Sequence, residues 1–149
     1  MSERSSEGTP GTFRVAALQM VSAPDRERNI AEAGQLIAEA ARGGAQLVLL
    51  PEYFCYMGFK DTDKLAIRET PGHGPIQQFL ADAAREHRVW VIGGTLPLES
   101  AEAARVLNTT LVFDPTGKQV ARYDKIHLFN FEKGTESFDE ARTICPGSE

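Results

Sequence analysis

An α/β layered sheet is the fold class this sequence predicts, and three observations predict it. Two stretches of helical periodicity alternate with short apolar runs between residues 13 and 92. Two β-rich stretches then flank a single tight turn. The length of 149 residues suits one domain. A chain of this size hides roughly 68–70% of its unfolded surface, so a real core is expected. The composition, 42% hydrophobic and 25% charged, is that of a globular protein. The net charge of −5 argues against nucleic acid or an anionic membrane as a partner, because both recruit basic surfaces. No apolar run reaches the 18 or more residues of a membrane span.

Residues 1–12 are small and polar and lack the apolar stretch of a signal peptide, so they read as a disordered lead-in. A cytoplasmic location and reduced thiols at Cys55 and Cys145 follow as expectations. Residues 13–20 read as a first strand. Asp25 offers helix-start chemistry, and a helix is expected from there to Arg42. Ile30, Ala33, Ile37, Ala40 and Ala41 form its apolar stripe, and Gly43-Gly44 ends it. Leu47 to Leu50 is continuously apolar, the pattern of a strand covered on both faces.

Residues 51–74 show no periodicity, which in a compact domain often marks function. A second helix is expected from Pro75 to Arg88, with proline at its first turn and Ile76, Phe79, Leu80, Ala83, Ala84 and His87 on one face. Val89 to Ile92 reads as a strand. Asn108 to Phe113 and Lys118 to Tyr123 read as a hairpin about the turn Asp114-Pro115-Thr116-Gly117. The expected order is β-α-β-α-β-β-β.

The residues able to carry chemistry are few. Glu52 stands at the C-terminal end of an apolar strand, where α/β sheets place their ligands. Held among Tyr53, Phe54, Tyr56 and Phe59, its carboxylate is expected to be partly desolvated, as suits a general base. The plain alternative is a solvent-facing glutamate opening a loop. Tyr123, Lys125 and His127 alternate along an expected strand and so share one face, placing His127 beside Lys125 in a pocket. A lysine there can stabilise an oxyanion, though edge-strand lysines facing water are common. The acidic run from Glu132 to Glu140 reads mainly as a solvated loop, with one member free to orient the lysine. Cys55 reads as a small buried thiol, and Cys145 as part of a turn before another strand. No second ligand pair stands at zinc-binding spacing, so no metal is expected. His73 lies in a tight loop and His87 closes a helix stripe. Gly93-Gly94 is no dinucleotide fingerprint, because no helical pattern follows at once.

These residues in this order resemble the nitrilase, or carbon–nitrogen hydrolase, superfamily. The likeness runs from residue 13 to the end of the sequence. It rests on Val15-Ala-Ala-Leu-Gln-Met20, Leu49-Leu-Pro-Glu-Tyr53, Asn108-Thr-Thr110 with its following turn, and Tyr123-Asp-Lys-Ile-His-Leu-Phe129. The segment from Glu140 to Gly147 also matches. The resemblance implies an α-β-β-α sandwich, incomplete here, with residues 13–149 as its N-terminal part and homo-oligomerisation through a helical layer when full length. It implies Glu52 as general base, Lys125 as the group that stabilises the tetrahedral intermediate, and Glu140 as a second glutamate, with Glu136 as the fallback. Tyr53 and His127 would line the pocket. The nucleophilic cysteine of the family pattern falls beyond Glu149, so this chain by itself is expected to be inactive. No cofactor is implied. The Lys125-Ile-His-Leu-Phe129 form resembles branches acting on ω-amides or deaminated glutathione, which points to ammonia release from a small carboxylate-bearing amide. The alternatives are a nitrile hydrolase and a catalytically dead chain kept for binding or assembly.

Overall fold

The computed structural model describes residues 11–148, so the expected disorder of residues 1–10 lies outside the described residues. Seven strands form one mixed sheet and two more form a separate ribbon, with both long helices against one face of the sheet. Strands β1 (Val15–Ala17), β2 (Leu47–Leu49) and β3 (Trp90–Ile92) run parallel. Helices α1 (Arg26–Arg42) and α2 (Pro75–His87) make the two crossovers between them, as parallel pairing requires. Strand β4 (Leu96–Glu99) follows β3 directly. The long strand β5 (Val106–Phe113) then pairs antiparallel with β3 and β4 along one edge. Its other edge takes β6 (Gln119–Asp124), antiparallel, and β9 (Ile144–Cys145), parallel. The ribbon consists of β7 (Asn130–Lys133) and β8 (Glu136–Asp139).

Both helices begin and end as their sequences dictate. The Asp25 carboxylate accepts from the Arg28 N–H at 3.0 Å and so satisfies one unpaired donor of α1. Gly44, at φ +85°, takes the left-handed position just past the helix end. Pro75 opens α2. The next two N–H groups, of Ile76 and Gln77, donate to the buried carboxylate of Glu69 at 2.6 and 3.1 Å. A negative charge at a helix N-terminus is favourable, which accounts for a glutamate in the interior. Ile37, Ile76, Leu80 and Ala84 are fully buried in one core with Val48, Val91 and Leu111.

The structure corrects several expectations. The first strand is confined to Val15–Ala17 rather than spanning residues 13–20. Strand β2 is covered on one face only: Val48 is buried whereas Leu49 is 41% exposed. Val15 and Trp90 continue that outward apolar face at 62% and 37% exposure. Residues 96–99 form a strand that sequence reading passed over, and Asp61–Ile67 is a 3₁₀ turn inside the stretch without periodicity. The acidic run is not a loop, since most of it is the ribbon β7–β8. Cys145 belongs to β9 rather than to a turn. Strand β6 ends at Asp124, so Lys125 and His127 lie past it and do not alternate along it. No helix among the described residues is long and apolar enough to cross a membrane.

The turn that leaves β2 is held by a close backbone approach. Gly94 adopts φ +52°, and a Cβ there would lie 2.0 Å from the Pro51 carbonyl oxygen. Gly72 has a similar backbone, φ +83°, but open space around it. Gly72→Ala is therefore expected to cost about 1–2 kcal/mol, the left-handed penalty alone. Gly94→Ala adds a steric collision and is expected to cost about 4 kcal/mol or more. Urea unfolding of the two variants checks the contrast, and equal losses would show that the close approach is unimportant.

Candidate active site

Glu52 owes its position to a sharp turn. The Leu50 N–H still pairs with the Ile92 carbonyl of β3 at 3.0 Å. Tyr53 then takes φ +51°, and its N–H donates to the Thr95 hydroxyl at 2.9 Å. A non-glycine residue in this region is uncommon and marks a backbone over-determined by its surroundings. The reversal buries Tyr53, Phe54 and Cys55 and turns Glu52 outward, its side chain 52% exposed. The expected desolvation among aromatic rings is absent: Phe54 points into the core, and Phe59 is 90% exposed.

Lys125 is pinned through its backbone on both sides. Its N–H donates to the Asn108 carbonyl of β5, and its carbonyl accepts from the Gly147 N–H, both at 2.9 Å. Glu140 opens a 3₁₀ turn, Glu140–Arg142, directly after β8. Its N–H donates to the Phe129 carbonyl at 3.0 Å, and its Oε2 accepts from the Phe129 N–H at 2.7 Å.

These three elements bring one ammonium between two carboxylates. Lys125 Nζ lies 3.2 Å from Glu52 Oε1, and 3.1 and 3.0 Å from Glu140 Oε1 and Oε2. Partial burial pulls the Lys125 pKa down, but hydrogen bonds to Glu140 and Glu52, with their charges, outweigh it and hold the pKa above the usual lysine value. The amine therefore stays charged through neutral pH. Glu136 is on β8 opposite Lys133 and does not reach Lys125, so of the two candidates only Glu140 joins the cluster.

A cleft of about 400 Å³ opens beside the cluster, lined by Glu52, Tyr53, Tyr56, Lys60, Phe138 and Glu140 among others. His127 is exposed and is not among the residues that line the cleft. Tyr53 does line the cleft, with Lys64 Nζ 5.3 Å from its ring centroid. Burial, followed by the charges of Glu52 and Glu140, pushes the Tyr53 hydroxyl well above the usual phenol range, so it remains neutral. Lys64 is neutralised by Asp61 at 2.5 Å, and Asp61 also accepts from the Thr143 hydroxyl.

Sequence reading missed two contributors. Asn108 was noticed only as part of a motif, yet its Nδ2 donates to Glu52 Oε1 at 2.7 Å. An asparagine, a residue strands disfavour, inside β5 was the available signal. The Asp61–Lys64–Thr143 network had none, because Thr143 stands 82 residues from Asp61 in sequence.

Neither cysteine belongs to the cluster. Cys55 is fully buried and does not line the cleft. Cys145 Sγ faces Ser100 Oγ at 3.4 Å and Glu102 Oε1 at 3.6 Å. Both thiols are free. Among the described residues no group of three histidine, cysteine or acidic side chains is placed to hold a metal. The arrangement provides an accepting carboxylate, a fixed cation beside it and a second carboxylate that keeps the cation in place.

The sequence and the fold both match known proteins. The carbon–nitrogen hydrolase family profile matches residues 14–148. The deaminated glutathione amidase of Synechocystis is 38% identical over 138 residues, covering 91% of this chain and 50% of that protein. The omega-amidase NIT2 of Homo sapiens is 37% identical over 138 residues, covering 91% and 48%. Saccharomyces cerevisiae Nit3, a member of branch 10 of the nitrilase superfamily, superposes with a TM-score of 0.77 at 26% identity, over 92% of this chain and 49% of that one. The C. elegans NitFhit protein gives 0.74 at 28% identity, over 91% and 33%. The chain thus spans about half the length of the curated relatives it matches.

The buried Cys55 thiol makes the stability of the fold depend on pH. Burial pushes the Cys55 thiol up to about 12, with the Glu69 charge adding to the effect against an opposing backbone hydrogen bond. The unfolded chain loses this proton first, at about pH 8.5. The native state then binds more protons, so the contribution of Cys55 to stability is constant below that pH and falls as pH rises toward 12. The stability advantage of the native chain over Cys55→Ala is expected to shrink between pH 8.5 and 10.5 by up to about 1.4 kcal/mol per unit. Urea unfolding at both pH values checks this, and a constant gap would contradict it.

Proposed function

The chain belongs to the carbon–nitrogen hydrolase family, and on that premise we propose that it carries the base and oxyanion half of an amidase site for small carboxylate-bearing amides. The observation that carries the reading is the single ammonium of Lys125 held between Glu52 and Glu140. In the proposed reaction Glu52 takes the proton of an attacking thiol, and the thiolate adds to the amide carbon. Lys125 stabilises the resulting oxyanion without leaving Glu140, whose carboxylate fixes its position. Glu52 returns the proton to the departing nitrogen, which leaves as ammonia. It then deprotonates the water that hydrolyses the thioester, releasing the carboxylate product and the thiol. Every proton moves through one carboxylate, so no cofactor is required.

The thiol is proposed to come from outside residues 1–149. Cys55 is buried beneath the turn, and Cys145 faces Ser100 and Glu102 rather than Lys125. The carboxylate-bearing class is supported by the relatives, which are named for ω-amides and deaminated glutathione. A cation in the cleft wall, unpaired among the described residues, supports it too. Lys125 serves two carboxylates and Lys64 serves Asp61, whereas Lys60, exposed in the cleft wall, forms no ion pair with a described residue. A cytoplasmic location and homo-oligomerisation go with this reading as parts of the same proposal.

The test uses succinamate, a small amide bearing a carboxylate, in two measurements. Titration into the isotope-labelled chain is expected to perturb the signals of Glu52 and Lys125, and Lys125→Met is expected to weaken binding about tenfold or more. Absence of binding, or binding indifferent to Lys125, would overturn the assignment of the site. In the second measurement the chain alone is expected to release no ammonia. Sustained release abolished by Cys145→Ala would show that the nucleophile had been wrongly placed outside.

A further inference from the structure

Asn108 is the buried residue whose side chain the mechanism above leaves unused. It lies on β5, 1% exposed, at the register position of Pro97. Its two ends meet the site differently. The backbone carbonyl accepts from the Lys125 N–H at 2.9 Å, and the side-chain Nδ2 donates to Glu52 Oε1 at 2.7 Å. Its Oδ1 is buried with no hydrogen-bond partner among the described residues. Buried polar atoms are normally paired, so an orphaned acceptor calls for a reason. The reason is on the other side of the amide. Reversing the amide would aim a carbonyl oxygen at the Glu52 carboxylate, so the donor must face Glu52 and the acceptor must face away.

We infer that Asn108 is a positioning residue that ties one oxygen of Glu52 and leaves the other free to accept a proton. Glu52 Oε1 receives both Asn108 Nδ2 and Lys125 Nζ, whereas Oε2 has no hydrogen-bond partner among the described residues. Without Asn108 the half-exposed carboxylate is free to rotate, and either oxygen can turn to the ammonium. The same residue fixes Lys125 through its main chain, so base and cation share one point of reference on β5. Alternatives of similar size fail for specific reasons. Aspartate would set carboxylate against carboxylate, and leucine fills the space but donates nothing. The inference rests on the amidase reading for its purpose, but its geometry can be tested without turnover.

The experiment follows the Lys125 side-chain resonance through alkaline titration of the full chain labelled at lysine, with Lys125→Arg identifying the signal. Asn108→Leu is expected to lower the Lys125 titration midpoint by about half a unit or more, because Glu52 is no longer held against the ammonium. In a Glu52→Gln background the same substitution is expected to add almost nothing, the mark of an effect that passes through Glu52. Asn108→Ser, which also loses the reach to Glu52, is read in the same way if the leucine variant does not fold. A folded variant with an unmoved Lys125 midpoint would overturn the inference, as would an equal shift in both backgrounds. No substrate enters the measurement, so a chain that fails to bind amides leaves this test intact.

Discussion

One ammonium shared by two carboxylates is the interaction on which the rest of this structure depends. Glu52 leaves β2, Lys125 leaves β6 and Glu140 leaves β8, and these three ends are far apart in sequence. Taking Lys125 away would leave two carboxylates converging without a counter-charge, and like charges this close disfavour one another's ionisation. The backbone is built to prevent its displacement. Lys125 is held on one side by Asn108 and on the other by Gly147, where a Cβ would come within 2.3 Å of the Asp124 carbonyl oxygen. The cluster is therefore specified by the sheet rather than by flexible side chains seeking one another.

The sheet can do this because its interior is ordinary. Helices α1 and α2 bury Ile37, Ile76, Leu80 and Ala84 against Val48, Val91 and Leu111, and each helix has a charged or proline start that satisfies or removes terminal donors. This packing fixes β2 and β3 side by side. Their C-terminal ends can then carry the strained turn at Tyr53 and the glycine crossing at Gly94. Tyr53 and Gly94 place irregular backbone where the chemistry would be, while the regular part supplies the stability that holds it. The opposite face of the sheet is apolar and open at Val15, Leu49 and Trp90.

Much of this was legible in the sequence, for identifiable reasons. The helices carry clear 3.6-residue stripes, and the hairpin β5–β6 carries its turn residues in the open. Glu52 and Lys125 were marked by local sequence, whereas only the family resemblance singled Glu140 out of the acidic run. Strand β4 was hidden by Pro97, which argues against a strand unless one edge is free of ladder donors. The structure gives that edge to Glu69, whose N–H donates to the Pro97 carbonyl at 3.0 Å. The ribbon β7–β8 was hidden by its charge: only Phe131 and Phe138 hint at alternation, and both are about 40% exposed. The expected alternation of Tyr123, Lys125 and His127 assumed that β6 continues past Asp124, where it ends. Asn108 carried a local signal, but its partner could not be read, since that depends on where Glu52 arrives from 56 residues away.

A double-mutant cycle on folding stability tests the central claim most directly, with Lys125→Met and Glu140→Gln measured singly and together in urea. A shared ammonium predicts non-additivity of at least about 0.5 kcal/mol, with Glu140→Gln costing less once Lys125 is gone. Strict additivity would mean that Lys125 and Glu140 do not interact in solution, and the account of the site built on their contact would fail.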